Sequence, residues 1–518
     1  MHFSRVPLAL SLLLLFGLFT CGDTPAPGDP DAIAISLTDL EQIAEVDERF
    51  QSYNIEMAEV IGGDFWIPYA DMDTSVTPSI GEGAELGENK NRYKYRAPID
   101  LKNERLRMLA SALSPAFVRV SGSWANYVYF QDDDQPKLEA APEGFRYILT
   151  RPQWAGVIDF VKATDADIMT SFAISSGTRN EEGRWQKDQA RALVNYTKSR
   201  GGTLDAVQFF NEPNMPEYAG APKGYSGVDF ALDVQEFNAL IDEVLPGVPV
   251  AGPDAVGEGG LMPASMKMPL TTDVLLAAEP KPEFDIFAYH HYGGVSQRCA
   301  TTLPMNSPVD SALTSAWLNK TLGTYDFYRA RRDTYLPDKP MWLTETAEAA
   351  CGGDPWAAEY VDVFRYLSQM GKLARKDVKV IMHNTLTASD YGMLDQETHK
   401  PRPNYWAALL WRKLMGTKVY EVGVDGGEAG LYLHSNYQDS AAKTLLVINP
   451  TSEAVTLNLP EASELYLLTA NKLRTKEVML NGKLLELSAD DGLPELKGEA
   501  LTAGDVKVPS QAIAFFAF

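Results

Sequence analysis

Two glutamates in this chain stand where apolar runs stop. Glu212 follows two phenylalanines and an asparagine in FFNEPNMP (209–216), and Glu345 lies near the end of MWLTET (341–346). Packing alone gives an apolar strand no reason to finish in a carboxylate. Two carboxylates facing each other across a cleft suit glycosidic bond cleavage. One must be protonated to donate to the leaving oxygen, and the other ionised to attack the anomeric carbon. A separation of about 5–5.5 Å between them implies a covalent intermediate and retention of configuration. Metal binding is the rival use of such groups. His290 and His291 are adjacent, so on a strand their side chains point to opposite faces, a poor geometry for joint ligation. The chain has no H-E-x-x-H motif and no Cys/His cluster. It also lacks the G-x-S-x-G elbow of a serine nucleophile. Neither a metal nor an organic cofactor is expected.

The elements that must hold these residues are short apolar runs alternating with helical stretches. SYNIEM (52–57), AFVRVSG (116–122), DIMTSFA (167–173), AVQFFNE (206–212), VPVAGPD (248–254), FDIFAYHHY (284–292), MWLTET (341–346) and VKVIMHNTL (378–386) read as strands. DLKNERLRMLASAL, DQARALVNYTKSR, VQEFNALIDEVL and AEYVDVFRYLSQMGKLARK carry helical apolar spacing between them. Eight such units predict an α/β fold, a (β/α)₈ TIM barrel, over residues 51–412. A doubly wound open sheet is the competitor, and no glycine-rich phosphate loop supports it. In a barrel, catalytic groups gather at the C-terminal ends of the strands. The fourth strand would end in Asn211–Glu212, the sixth in His290–His291–Tyr292 and the seventh in Glu345. The eighth carries His383 and Asn384, with Asp390 and Tyr391 in the loop that follows. Glutamates on strands four and seven would face each other across the mouth. After Trp411 the texture changes to short strands broken by turns, among them GLYLHS, KTLLVINP, ELYLLTA and IAFFAF, which predict an all-β sandwich over 413–518.

With 45% hydrophobic residues the chain can bury a sizeable core, and its formal net charge of −24 argues against nucleic-acid binding. The same charge disfavours docking on highly sulfated polyanions. Arg5 precedes the apolar run VPLALSLLLLFGLF, which has the layout of an export signal and is too short for a comfortable membrane span. LFTC resembles a bacterial lipobox, so residues 1–21 are expected to be a lipoprotein-type signal peptide with Cys21 lipidated; ordinary secretion with cleavage nearby is the alternative. The expected location is a membrane-anchored lipoprotein in the periplasm or on the outer-membrane surface of a bacterium. Residues 22–50 read as a tether followed by an N-terminal segment. The remaining cysteines, Cys299 and Cys351, are compatible with a disulfide or with two buried free thiols.

FFNEPN with the later WLTET resembles the Asn-Glu-Pro and second-Glu signatures of the retaining-glycosidase superfamily on (β/α)₈ barrels. That resemblance makes Glu212 the acid/base, Glu345 the nucleophile and Asn211 a contact to the sugar 2-hydroxyl. A narrower match spans nearly the whole mature chain. LSPAFVRVSGSWANYVYF, YHHYGG, WLTETAEAACGGD, SDYGMLD, PRPNYWAALLWRKLMGTKVYEV and the tail LNGKLLELSADDGLPEL…VPSQAIAFFAF are together similar to the heparanase-like β-glucuronidases, glycoside hydrolase family 79. The resemblance implies a uronate-containing oligo- or polysaccharide as substrate. It implies that the uronic carboxylate is held by backbone N–H groups of Gly352 and Gly353 and by Tyr391. Glycines let a backbone approach closely, and neutral N–H donors bind an anion without a competing charge. Glu56, Ser123, His291, Tyr292 and Asn384 complete the expected substrate-facing set, with the Tyr292 phenol beside the nucleophile. DAIAISLTDLEQI is expected to add a strand to the sandwich, as its family counterpart does.

The chain departs from the mammalian heparanase branch of that family in two places. MPEYAGAPKG follows Asn214, with Glu217 and Tyr218 where that branch is lysine-rich. Only DDDQPKLEAAPEGFRYILT separates YVYFQ from RPQWAGVIDF, so no long linker can be excised. A single-chain enzyme is expected, with highly sulfated heparan disfavoured. Lys94, Arg96, Lys223 and Arg298 read as ordinary surface residues, with a source of local positive charge as the alternative. The alternatives are a retaining glycosidase for a β-xyloside or β-galactoside, and a surface lipoprotein that binds glycans without cleaving them.

Overall fold

The computed structural model describes residues 1, 29, 31–72, 92–262, 268–299 and 308–518. The leader, Cys21 and most of the tether lie outside the described residues. Eight parallel strands close a barrel in chain order: β1 Gln51–Glu56, β2 Phe117–Ser121, β3 Asp167–Thr170, β4 Ala206–Gln208, β5 Val250–Ala255, β6 Ile286–Val295, β7 Met341–Ala350 and β8 Val378–His383. β8 returns to pair with β1 through Ile381 and Gln51. Each strand falls within or overlaps an expected run. The helix expected from Val234 begins earlier, at Gly227. The Ser226 side chain accepts from the Asp229 N–H while Asp229 reaches back to the Ser226 N–H, a capping box that satisfies the first-turn donors.

Strand alternation fills the barrel from the bottom. Phe117, Met169, Ala206, Ala251, Ile286, Ala288, Trp342, Val380 and Met382 form one closed apolar layer inside it. Two residues further along β2 the inward position is Arg119, fully buried above that layer. The interior therefore turns polar towards the C-terminal ends of the strands, where the site must lie.

β7 does not keep strict alternation. Trp342 points into the barrel, so period two would send Glu345 outwards. The register against β6 shifts where Leu343 pairs Tyr289 and Glu345 pairs His290, leaving Thr344 as an extra residue. This irregularity re-aims Glu345 to the mouth. β4 ends at Gln208, three residues before Asn211. The chain beyond it is held by Asn126, whose side chain donates to the Asn211 carbonyl and accepts from its N–H, both at 3.0 Å.

The C-terminal part of the molecule is built on a large sheet with Met415–Tyr420, Gly430–Asn436, Lys443–Asn449, Ala512–Ala517 and Ser463–Thr469 as its main strands. A three-stranded sheet, Ile33–Ala34, Val455–Leu459 and Gly504–Val508, covers one face of it. The N-terminal segment thus contributes to both sheets, because Gln42–Glu45 also pairs antiparallel with Met415–Tyr420. KEVMLNG and KLLELSA are strands over only two residues each, Met479–Leu480 and Lys483–Leu484.

Candidate active site

Arg119 organises the mouth of the barrel. Its Nε donates to Gln208 Oε1, one Nη to Glu345 Oε2 and the other to Asn211 Oδ1, all at 2.8 Å. One guanidinium, held by three residues of β4, its extension and β7, thereby sets the position of Glu345. The other Glu345 oxygen accepts from the Tyr292 hydroxyl at 2.5 Å. Asn384 donates to that hydroxyl and to Tyr391 Oη, both at 3.1 Å. Glu345, Tyr292, Asn384 and Tyr391 thus form one hydrogen-bonded chain across β6, β7 and the β8 loop.

Glu212 faces this chain. It adopts a left-handed backbone (φ 54°), which costs a non-glycine residue about 1–2 kcal/mol and is held by the Asn126 brace beside it. Its carboxylate lies 3.1 Å from His290 Nδ1, and ligand-type oxygens of Glu212 and Glu345 come within 4.8 Å of each other. Glu212 keeps 19% of its side chain exposed and Glu345 only 7%, so the first is nearer the open end.

The electrostatics separate the two carboxyls. Burial pushes Glu212 up, and repulsion from Glu345 adds to it against the His290 hydrogen bond; its pKa lies above the usual carboxylate value. Burial also acts on Glu345, but the charges of His290 and Arg119 and the Tyr292 hydrogen bond outweigh it, and its pKa lies below that value. His290 loses favour for its charge through burial, yet Glu345, Asp254 and Glu212 lift it to about 9, so it is an imidazolium at neutral pH. Glu56 is pushed well above the usual carboxylate range by burial and by Glu345. Gly122 (φ 89°) makes room for it: a Cβ there would sit 1.7 Å from Glu56 Oε2.

Among the described residues, Glu212, His290 and Glu345 are the one group whose ligand-type atoms converge. With Arg119 bonded to Glu345 and an imidazolium inside the cluster, positive charge is already supplied there. The group is suited to proton transfer and poorly suited to a metal cation.

The structure brings together Glu56, Asn211, Glu212, Tyr292, Glu345, Asn384 and Tyr391. Ser123 lies beside Asn211, accepting from its Nδ2 at 3.5 Å. Gly353 packs on Tyr391, where an added Cβ would meet the Tyr391 N and Cβ at 3.0 Å. Gly352 packs on Trp66. His291 is a correction. It points out of the barrel to Thr324 Oγ1 (2.9 Å) on the helix Lys320–Tyr335, and the histidine that reaches the carboxylates is His290. Period two decides it: Ile286, Ala288, His290 and Tyr292 share the inward face. Arg298 is a second correction. It is fully buried rather than a surface residue. Cys299 and Cys351 form a disulfide. Arg119, Asn126 and Asp254 are members of the site that carry no motif. The one signal for Arg119 was a cation at an inward position of the apolar run AFVRVSG.

Residues 95–371 match the model of glycosyl hydrolase family 79, N-terminal domain. The chain is 25% identical to a hyaluronoglucuronidase of Hirudo nipponia over 482 residues, covering 82% of this chain and 92% of that protein. It is 26% identical to a heparanase of Mus musculus over 479 residues, covering 80% and 86%. Among solved structures it resembles a 4-O-α-L-rhamnosyl-β-D-glucuronidase from Fusarium oxysporum, with a TM-score of 0.62 at 11% identity over 94% of this chain and 99% of that one.

Proposed function

The chain belongs to glycosyl hydrolase family 79 and is a glycoside hydrolase, and on that premise we propose that it cleaves β-linked glucuronic acid from a uronate-containing glycan with Glu212 as acid/base and Glu345 as nucleophile. The observation that carries this reading is the pair itself. Carboxylate oxygens within 4.8 Å, one carboxyl raised in pKa and the other lowered, fit the spacing and division of labour of double displacement. Glu212 gives its proton to the glycosidic oxygen as that bond breaks. Glu345 attacks the anomeric carbon, forming a glycosyl-enzyme ester. Glu212, now ionised, takes a proton from water as the water attacks the same carbon and releases Glu345.

Tyr292 and Arg119 spread the charge of Glu345 before attack and receive it back on release. Asn211, Ser123, Glu56 and Asn384 supply hydrogen bonds to sugar hydroxyls. The N–H groups of Gly352 and Gly353 with the Tyr391 hydroxyl bind the uronate. The rim near Glu217 and Tyr218 is exposed and carries no lysine cluster, which supports a weakly sulfated or unsulfated glycan. Export and lipidation at Cys21 belong to the same proposal, supported by LFTC and by a disulfide of the kind formed in oxidising compartments. Fatty-acid labelling of wild type but not of Cys21→Ala checks the anchor.

A panel of aryl β-glycosides tests the function. Hydrolysis of the glucuronide, with the β-anomer first seen by proton NMR, is expected. Turnover of a xyloside or galactoside but not the glucuronide would sink the uronate assignment. Full activity in Glu345→Gln would remove the nucleophile.

A further inference from the structure

Residues 351–353 form an unusual backbone. Cys351, Gly352 and Gly353 are all left-handed, with φ of 63°, 83° and 78°. In such a turn the carbonyls point one way and the N–H groups the other. All three carbonyls are tied down. That of Cys351 accepts from Ser296 Oγ (2.8 Å) and Arg298 Nη1 (3.2 Å). That of Gly352 accepts from the Asp390 N–H (3.1 Å), and that of Gly353 from Arg298 Nη1 (2.7 Å). No described backbone bond uses the N–H of Gly352 or Gly353. The turn is an anion cradle of the nest type, fastened from behind.

Two devices do the fastening. Arg298 is buried, donates also to the Ile67 carbonyl (2.6 Å), lies 3.9 Å over the Tyr69 ring and pairs with Asp390, the neighbour of Tyr391. The Cys299–Cys351 disulfide then joins the residue after Arg298 to the residue before Gly352. Cys351 is the one member of the turn that pays the full steric cost of a left-handed backbone, and it is the one that is covalently held.

We infer that Arg298 and the Cys299–Cys351 bridge are positioning residues for the carboxylate of the substrate, so that preference for an acidic sugar depends on the bridge being closed. This rests on the uronate reading of Gly352–Gly353. Opening the bridge with a phosphine breaks the S–S bond, leaves two thiols and converts the phosphine to its oxide with oxygen from water. The turn is then free to leave its left-handed conformation, while Glu212 and Glu345, held by Arg119, His290 and Tyr292, stay in place.

The test compares 4-nitrophenyl β-D-glucuronide with its methyl ester, which has the same shape without the charge. In phosphine-treated wild type, with both thiols confirmed by alkylation and mass spectrometry, and in Cys299→Ser/Cys351→Ser, the kcat/KM ratio of acid to ester is expected to fall about tenfold. The loss should lie in KM for the acid, with kcat within about twofold. Arg298→Gln should move the ratio the same way. A ratio unchanged after reduction of folded enzyme, or an equal loss on both substrates, overturns the inference. If oxidised wild type does not hydrolyse the glucuronide at all, the underlying assignment has failed instead, and that is seen before any bridge is opened.

Discussion

At the mouth of the barrel a single imidazole faces three carboxylates: Glu212 at 3.1 Å, Asp254 at 3.5 Å and Glu345 at 4.0 Å. His290 lowers the pKa of both Glu212 and Glu345. Glu345 must be ionised, so activity falls as pH drops through its lowered pKa. Glu212 must hold its proton, so activity falls as pH rises through its raised pKa. A bell-shaped kcat/KM profile follows. Glu212→Gln should abolish the alkaline limb and cut kcat/KM about 10²–10⁴-fold on a poor leaving group. The cut should be much smaller on a dinitrophenyl glycoside, which leaves without protonation. His290→Gln removes a charge that lowers both groups, so both limbs should move to higher pH together. An acid limb that stays put in that variant would show that His290 does not govern Glu345.

At the scale of elements, the loop after β8 shows how the fold carries a side chain that no strand holds. The Arg402 guanidinium donates through Nη1 to the carbonyls of Ser389 (2.7 Å), Asp390 (3.0 Å) and Gly392 (3.1 Å), and His383 Nε2 lies 2.9 Å from the Tyr391 carbonyl. Burial drives His383 down to about 3, so it is neutral and its Nε2–H donates there. Arg402→Met takes the donor from the Asp390 and Gly392 carbonyls, while the Ser389 carbonyl keeps the Gly392 N–H, and should cost about 2 kcal/mol of stability, read as a lower unfolding midpoint. Because the loop carries Tyr391 and backs Gly353, KM for the glucuronide should rise about tenfold with a smaller change in kcat. A fall in kcat alone would place this loop's role at the carboxylates.

The same elements show what was legible beforehand. Glu212 and Glu345 were readable because polar residues interrupt apolar runs, and the eight strands because those runs recur with helices between them. His290 and His291 were told apart only by the phase of β6, which a dipeptide does not state. Glu345 reaches the mouth through the Thr344 irregularity, and Arg298 acts on carbonyls far along the chain, those of Ile67, Cys351 and Gly353. Such contacts leave no periodicity to read.

At the scale of the molecule, barrel and sandwich share one interior. The helix Tyr360–Ala374 is buried along its whole length except Lys372, and Pro403–Leu414 except Lys413. A barrel helix facing water would bury one stripe only. Here the outer faces are covered by the large sheet, whose strands divide their residues by period two. Leu431, Leu433, Leu445, Val447, Ala514 and Phe516 face the small sheet. Tyr432, Leu446, Ile448, Ile513 and Phe515 face the barrel. This is why KTLLVIN and AIAFFA are apolar on both faces. The junction is specific as well as apolar. The Tyr360 hydroxyl donates to the Leu468 and Gln511 carbonyls, the Lys413 ammonium to the Leu496 carbonyl, and Thr444 Oγ1 to the Leu414 carbonyl. Gly371 lies so close to the Tyr432 ring that a Cβ would come within 2.4 Å. A chain ending at Leu414 would expose both helices and lose the partners of the N-terminal strands Ile33–Ala34 and Gln42–Glu45. It is therefore expected to aggregate on expression, although it retains Glu212 and Glu345. Size-exclusion chromatography checks this. A soluble, active monomer of residues 29–414 would show that the barrel is complete without the sheet that covers it.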